Sequence, residues 1–452
     1  MTGRYQPYPK YQETGIEWLG QVPADWSIHA LKRAVDGCVN GVWGEEPDGE
    51  RDLTVLRVAD FDRTSLTVSD KKLTTRSIPE KDRKTRLLKI GDLLIEKSGG
   101  GDKTLVGCVV KFDKSYPAVT SNFVAKMTPK SEFDSGFLSY AFSHLYAGRV
   151  NYPSIKQTTG IQNLDSDAYL MERFVFPGQE EQCTIAAFLD HETARIDRLI
   201  AKQQRLIELL KEKRQAVISH AVTKGLDPGA PMKDSGVVWL GEVPAHWKVG
   251  RMGYYCYISN GTTPSKSNPE YWTEGDIPWL SSGTVNQYEI TDPSSFITVK
   301  ALSECSLSLL PPGTVVIGMI GQGKTRGMSA ITRIKTTINQ NLAAAVPNQL
   351  IDSEFLLFLL QSAYTALRDT GRGGNQAALN CELIADLKIT VPSLTKQQEI
   401  ASYLKGEIAR YEMLTDRAST ATKLLQERRT ALISAAVTGK IDLRGWRHPD
   451  AA

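Results

Sequence analysis

The segment Thr14-Gly-Ile-Glu-Trp-Leu-Gly-Gln-Val-Pro-Ala-Asp-Trp26 returns past the middle of the chain as Ser235-Gly-Val-Val-Trp-Leu-Gly-Glu-Val-Pro-Ala-His-Trp247, with eight of thirteen positions identical. A second marker, Ala216-Val-Ile-Ser-His-Ala-Val-Thr-Lys-Gly-Leu-Asp227, returns near the C-terminus as Ala431-Leu-Ile-Ser-Ala-Ala-Val-Thr-Gly-Lys-Ile-Asp442. Its register runs backwards without a gap: Pro177 meets Pro392, Gln182 meets Gln397, Ile185 meets Ile400, and Leu164 meets Leu379. A repeat of such long period means that one structural unit is used twice, and every later motif has to be read in that light. The ends and helices of each copy match, whereas residues 27 to 160 and 248 to 375 barely align. That is the pattern of a fixed frame carrying two variable readers.

The most regular part of the frame is helical. From Glu180 to Thr223 there is no Pro and no Gly, and Ile185, Leu189, Ile196, Leu199, Leu206, Leu210 and Val217 recur three, four or seven residues apart, interleaved with charges. This spacing predicts one long helix with a coiled-coil seam that needs a partner. The second copy, Lys396 to Val437, offers the matching seam with Ile400, Leu404, Tyr411, Leu414, Leu425 and Leu432, and is expected to be interrupted at Gly406. The two helices are expected to pair with each other; at 1.5 Å per residue each spans roughly 60 Å and would serve as a spacer. Each follows a strand-like run, Arg173 to Pro177 or Leu387 to Pro392, and each stops at a glycine, Gly225 or Gly439.

A chain of 452 residues needs two or three domains. The middles read as mixed α/β, with strands at Leu93 to Glu96, Thr104 to Lys111 and Thr314 to Ile320 and short helices near Phe137 to His144 and Glu354 to Ala366. The formal charge of +3 is too small to name a partner. The six cysteines, Cys38, Cys108, Cys183, Cys256, Cys305 and Cys381, are scattered without zinc or disulfide spacing, so a reduced, cytoplasmic chain is expected. The longest apolar runs are too short to cross a membrane, and the polar N-terminus does not read as a signal peptide.

Catalytic patterns are sparse. Gly318-Met-Ile-Gly-Gln-Gly-Lys-Thr325 satisfies the phosphate-loop pattern letter for letter, but the following residues lack a clean amphipathic stripe and predict strand, loop, strand. The first copy's counterpart, Gly91-Asp-Leu-Leu-Ile-Glu-Lys-Ser-Gly-Gly-Gly101, keeps the glycine-rich hairpin and loses the pattern. Asn268-Pro-Glu-Tyr271 is a poor match to a methyltransferase loop, and the six histidines form no metal motif.

The Trp-Leu-Gly-x-Val-Pro-x-x-Trp opening, the hairpin at Gly91 and the Gln-x-x-Ile-Ala-x-Phe/Tyr-Leu helix start together resemble the specificity subunits of type I restriction-modification enzymes. The resemblance covers nearly the whole chain; among its departures, Cys183 and Thr184 stand where the other copy has Gln398 and Glu399. It implies a mixed α/β fold: target recognition domains over residues 1 to 178 and 232 to 393, with spacer helices, linker and tail over 179 to 231 and 394 to 452. The helices would form an antiparallel coiled-coil spacer, giving an internal pseudo-twofold repeat. It further implies that each domain reads half of an asymmetric two-part site in double-stranded DNA, and that the helices dock two methyltransferase subunits. Restriction-translocase subunits can join them. S-adenosylmethionine, ATP and Mg would belong to those partners, leaving this chain non-catalytic and without a cofactor.

Readers held about one helical turn of DNA apart can both enter grooves on one face of a duplex. Candidates for DNA contact, chosen by residue type, are Lys97, Ser98, Lys103, Arg149 and Lys156 in the first domain and Lys324, Arg326, Arg372, Asn375 and Gln376 in the second. The competing expectation is a nucleic-acid-dependent ATPase built on Gly318 to Thr325.

Overall fold

The structure is a computed structural model that describes residues 5–100, 104–158, 160–321, 323–370 and 378–449. It divides into two compact units, residues 1–203 with 420–452, and residues 204–419. Each unit takes one globular part and a portion of both long helices.

In the first unit the main sheet runs, edge to edge, Val39–Asn40, Val124–Met127, Leu93–Glu96, Val109–Lys111, Thr67–Val68 and Phe61–Asp62. In the second unit the order is Cys256–Asn260, Leu342–Pro347, Val315–Gly318, Ser329–Thr332 and Glu289–Ile290. Both sheets are antiparallel until the same place, where Val109–Lys111 lies parallel to Thr67–Val68 and Ser329–Thr332 parallel to Glu289–Ile290. Each unit also has a three-stranded sheet whose central strand, Asp52–Leu56 or Ile277–Leu280, takes one parallel and one antiparallel neighbour. The middles that scarcely align as sequences are therefore the same topology. Alternation constrains only the inward face of a strand, so the outward face and the loops diverge without moving a strand.

The cores follow the apolar runs. Phe137, Phe142, Tyr169, Phe174 and Phe176 are buried in the first unit, and Phe355, Leu356, Phe358 and Leu359 in the second. The expected short helices are Ser135–Ala147 in the first unit and Ser353–Ser362 followed by Tyr364–Thr370 in the second. Asp134 and Asp352 cap the first two by accepting backbone N–H bonds.

The long helices are Gln179–Lys224 and Leu394–Val437. The side chains withdrawn from solvent along the first are Thr193, Ile196, Ile200, Gln203, Ile207, Leu210 and Arg214, alternately three and four apart. Those along the second are Leu404, Ile408, Tyr411, Thr415, Ala418, Thr422, Leu425 and Arg429. Two expected seam positions therefore move: Leu199 and Leu206 are 40% and 43% exposed, and their neighbours Ile200 and Ile207 face inward instead. Polar seam residues, Thr193, Gln203 and Arg214, hide the true phase from a count of apolar spacing. Nor does Gly406 interrupt the second helix, which runs through it, with Gly406 on the exposed face and Ile408 in the seam.

In the first unit Arg429 pairs with Asp197 at 3.0 Å, and in the second Arg214 lies 3.9 Å from Glu412. From Asp197 to Arg214 the first helix advances by as many positions as the second goes back from Arg429 to Glu412, which is antiparallel register.

The helix ends explain why both markers repeat. Gly225 and Gly439 have φ of +79° and +68°, the left-handed conformation that stops a helix. A side chain at Gly439 would strike the Pro23 ring, and one at Gly225 would meet the Trp247 ring at 3.1 Å. The opening motif of each copy thus packs on the helix end of the other copy.

Candidate nucleic-acid interface

In the first unit Lys97 and Ser98 follow the buried strand Leu93–Glu96, and hydrogen bonding places asparagines around them. The Lys97 ammonium donates to Asn40 Oδ1 at 2.8 Å, and Ser98 Oγ donates to Asn163 Oδ1 at 2.6 Å. Asn40, Lys97, Ser98, Asn122 and Asn163 line a cleft of about 430 Å³. With the carbonyl oxygens of Asn40 and Asn163 so engaged, their amide N–H groups remain for a ligand, as a base edge or phosphate requires. Phe123, beside Asn122, is 56% exposed and accepts the Lys97 backbone N–H through its carbonyl at 2.8 Å.

A buried polar group anchors this hairpin. Glu96 is 1% exposed and pairs with Arg63 at 2.8 Å; Arg63 also donates to Tyr146 Oη, which donates to the Leu105 carbonyl. Burial pushes the Glu96 carboxyl up, with Arg63 opposing the shift. The other candidates lie apart from the cleft's lining. Lys156 is exposed and bound to Asp165 at 2.8 Å, while Arg149, at a φ of +56°, lies within the turn after helix Ser135–Ala147.

In the second unit Lys324 is exposed in the hairpin loop between Val315–Gly318 and Ser329–Thr332. The loop is pinned by its carbonyls. Tyr364 Oη donates to Lys324 O at 2.9 Å, and Arg368 donates to Gly323 O at 2.9 Å and to Arg326 O at 3.0 Å. Arg326 is half-buried at the loop's base. Lys103, Arg372, Asn375 and Gln376 lie outside the described residues.

Sequence reasoning passed over Asn40, Asn122 and Asn163, although one signal was present. Asn40-Gly41 returns as Asn260-Gly261, and in both units a side chain at that glycine would collide with the carbonyl of a neighbouring strand, Thr120 or Ile338.

Residues 244–417 match the family model described as the type I restriction modification DNA specificity domain. A type I restriction enzyme specificity subunit, MjaIX of Methanocaldococcus jannaschii, is 31% identical over 36% of this chain, and the match spans only 38% of that relative's length. The putative MjaX specificity subunit of the same organism is 21% identical over 94% of this chain and 96% of its own length. Residues 244–417 thus carry the type I restriction modification DNA specificity domain, and nearly the whole chain is similar to specificity subunits. A solved chain from work on complex assembly and conformational transition of the type I R-M system superposes with a TM-score of 0.71, at 16% identity, over 94% of this chain and 99% of that one. That likeness establishes the shared fold.

The match over residues 244–417 agrees with the geometry at Gly318 to Thr325. A phosphate loop must open a helix whose N-terminus holds the phosphate. Here the loop leads into the antiparallel strand Ser329–Thr332, and Gly327 N bonds back to Gly318 O at 2.8 Å. The ATPase expectation loses its structural basis. Among the described residues no group of three or more His, Cys, Asp or Glu could hold a metal, and no helix is long and apolar enough to cross a membrane.

Proposed function

We propose that this chain is the non-catalytic, cytoplasmic DNA-reading subunit of a type I restriction-modification complex. Residues 1 to 178 and 232 to 393 act as target recognition domains, each reading one half of an asymmetric two-part site in double-stranded DNA. Residues 179 to 231 and 394 to 452 carry the helices that set the gap and dock two methyltransferase subunits, beside which restriction subunits assemble. S-adenosylmethionine, ATP and Mg are handled by those partners.

The observation that carries the reading is one topology used twice with different polar side chains on corresponding loops. Asn40, Lys97, Ser98, Asn122 and Asn163 cluster in the first unit, while Lys324 and Arg326 mark the hairpin of the second. A shared scaffold with divergent contacts suits two readers of different half-sites. The exposed Leu199 and Leu206 fit a helix face covered by another protein better than a fully solvated one. Lys97, Ser98, Lys103, Arg149, Lys156, Lys324, Arg326, Arg372, Asn375 and Gln376 are the proposed DNA contacts, with the three asparagines added.

The test is modification-sensitive long-read sequencing of the host genome with and without an in-frame deletion of this chain. One asymmetric two-part methylated motif should vanish. Persistence of every methylated motif, in a strain that expresses the chain, would refute the proposal.

A further inference from the structure

The arginine that each unit sets in the helix seam is hydrogen-bonded in one unit and held only by a long ion pair in the other. In the first, Arg429 Nε donates to Asp197 Oδ1 at 3.0 Å, and its Nη2 donates to the Thr64 carbonyl. The corresponding positions in the repeat register are Arg214 and Glu412. Their separation is 3.9 Å, and Arg214 Nε is buried without a hydrogen-bond partner.

Strand register identifies what differs around them. Thr67 pairs with Lys111 as Glu289 pairs with Ile331, and Lys111 faces Leu93 as Ile331 faces Val315. Glu96 therefore corresponds to Gly318, which has no carboxylate to offer. The buried Arg63–Glu96 pair of the first unit has no counterpart in the second, and a cavity of about 630 Å³ opens there, with Arg214, Tyr288, Lys324, Ser329, Tyr364 and Glu412 in its wall. The register also places Ser329, opposite Ile317, where the first unit has Val109 opposite Ile95.

Among the described residues, three buried polar atoms in this one wall lack partners: Arg214 Nε, Tyr288 Oη and Ser329 Oγ. Ser329 is 6% exposed. Each of the three can donate a hydrogen bond, Lys324 adds an ammonium, and Glu412 is the single carboxylate in the wall. Buried donors without acceptors are costly, and three such donors in one wall beside the Lys324 ammonium suit an oxyanion. Lys324 also stands on the hairpin assigned to DNA.

We infer that this cavity seats a backbone phosphate of bound DNA, held by Arg214, Tyr288, Ser329 and Lys324. The inference rests on the DNA-reading proposal and deepens it. It gives a residue of the first long helix a part in DNA binding, and it gives that part to the second unit alone, because Arg429 is already closed by Asp197 and Thr64.

The test uses the full chain assembled with its methyltransferase subunits. Binding to a duplex carrying the complex's own methylated motif, and to a scrambled duplex, is measured across a salt series. Arg214→Gln should reduce the slope of log affinity against log salt by about one on both duplexes, as loss of one phosphate contact requires, with the preference between them unchanged. Ser329→Val, which installs the first unit's residue and removes no charge, should weaken both by about tenfold with the slope intact. Thermal melting checks folding, and if Arg214→Gln fails to fold, Ser329→Val decides. Folded variants with wild-type slope and affinity would overturn the inference. Lost methyltransferase assembly with an unaltered slope would overturn it too, by placing an acidic side chain of that partner in the cavity. A wild-type assembly that binds neither duplex would instead bring down the DNA-reading proposal, and this inference with it.

Discussion

Two buried glutamines start the long helices in the same way. Gln182 donates to Pro177 O at 2.9 Å and accepts Asp134 N–H at 2.9 Å, while Gln397 donates to Pro392 O at 2.9 Å and accepts Asp352 N–H at 2.7 Å. Each ties a long helix both to the strand before it and to the N-cap of a short core helix. Gln397→Leu would leave buried backbone groups unpaired, so a loss of about 1–3 kcal/mol is expected in urea denaturation. An unchanged denaturation midpoint would show that the amide is not structural. The match of Gln182 to Gln397 was visible in the repeat, but their shared partners were not, because Asp134 and Asp352 lie tens of residues upstream.

At the scale of elements, helix existence was legible because a run without Pro or Gly leaves little else to form, whereas the phase of the seam was not. Adjacent apolar residues, Leu199 with Ile200 and Leu206 with Ile207, fit either phase, and only the facing helix selects one. Gly406 illustrates the same limit. A glycine within a helix costs about 1 kcal/mol relative to alanine, which made an interruption a reasonable expectation, yet neighbouring packing carries the helix across it. A Cβ at Gly406 would meet nothing within 4 Å. Gly406→Ala should therefore stabilise the chain by about 0.5–1 kcal/mol and raise its melting temperature. A lower melting temperature would contradict the unbroken helix.

At the scale of the molecule, the repeat is interlocked rather than tandem. Pro23 and Trp26 of the first copy pack on the helix end at Gly439, and Trp247 of the second on the helix end at Gly225. If the paired helices set the gap between half-sites, removing one turn from each, about 5.4 Å, should change that gap by one or two base pairs and leave the half-sites intact. The methylated motif of the edited strain reads this directly, and an altered half-site would contradict a spacer role.

Duplication, mixed α/β class, both long helices and their glycine stops were determined by the sequence alone, because each rests on local rules: periodicity, breakers and repeated words. The common strand order of the two divergent middles, the seam phase, the asparagine cleft and the orphaned donors around Arg214 were decided only by the tertiary structure. Those features join residues far apart in the chain. Asn40 meets Lys97 across 57 positions, and Arg429 meets Asp197 across 232. No local pattern records which distant side chains fill the same space, so a pair hydrogen-bonded in one copy and held only by a long ion pair in the other becomes apparent only when both copies are folded.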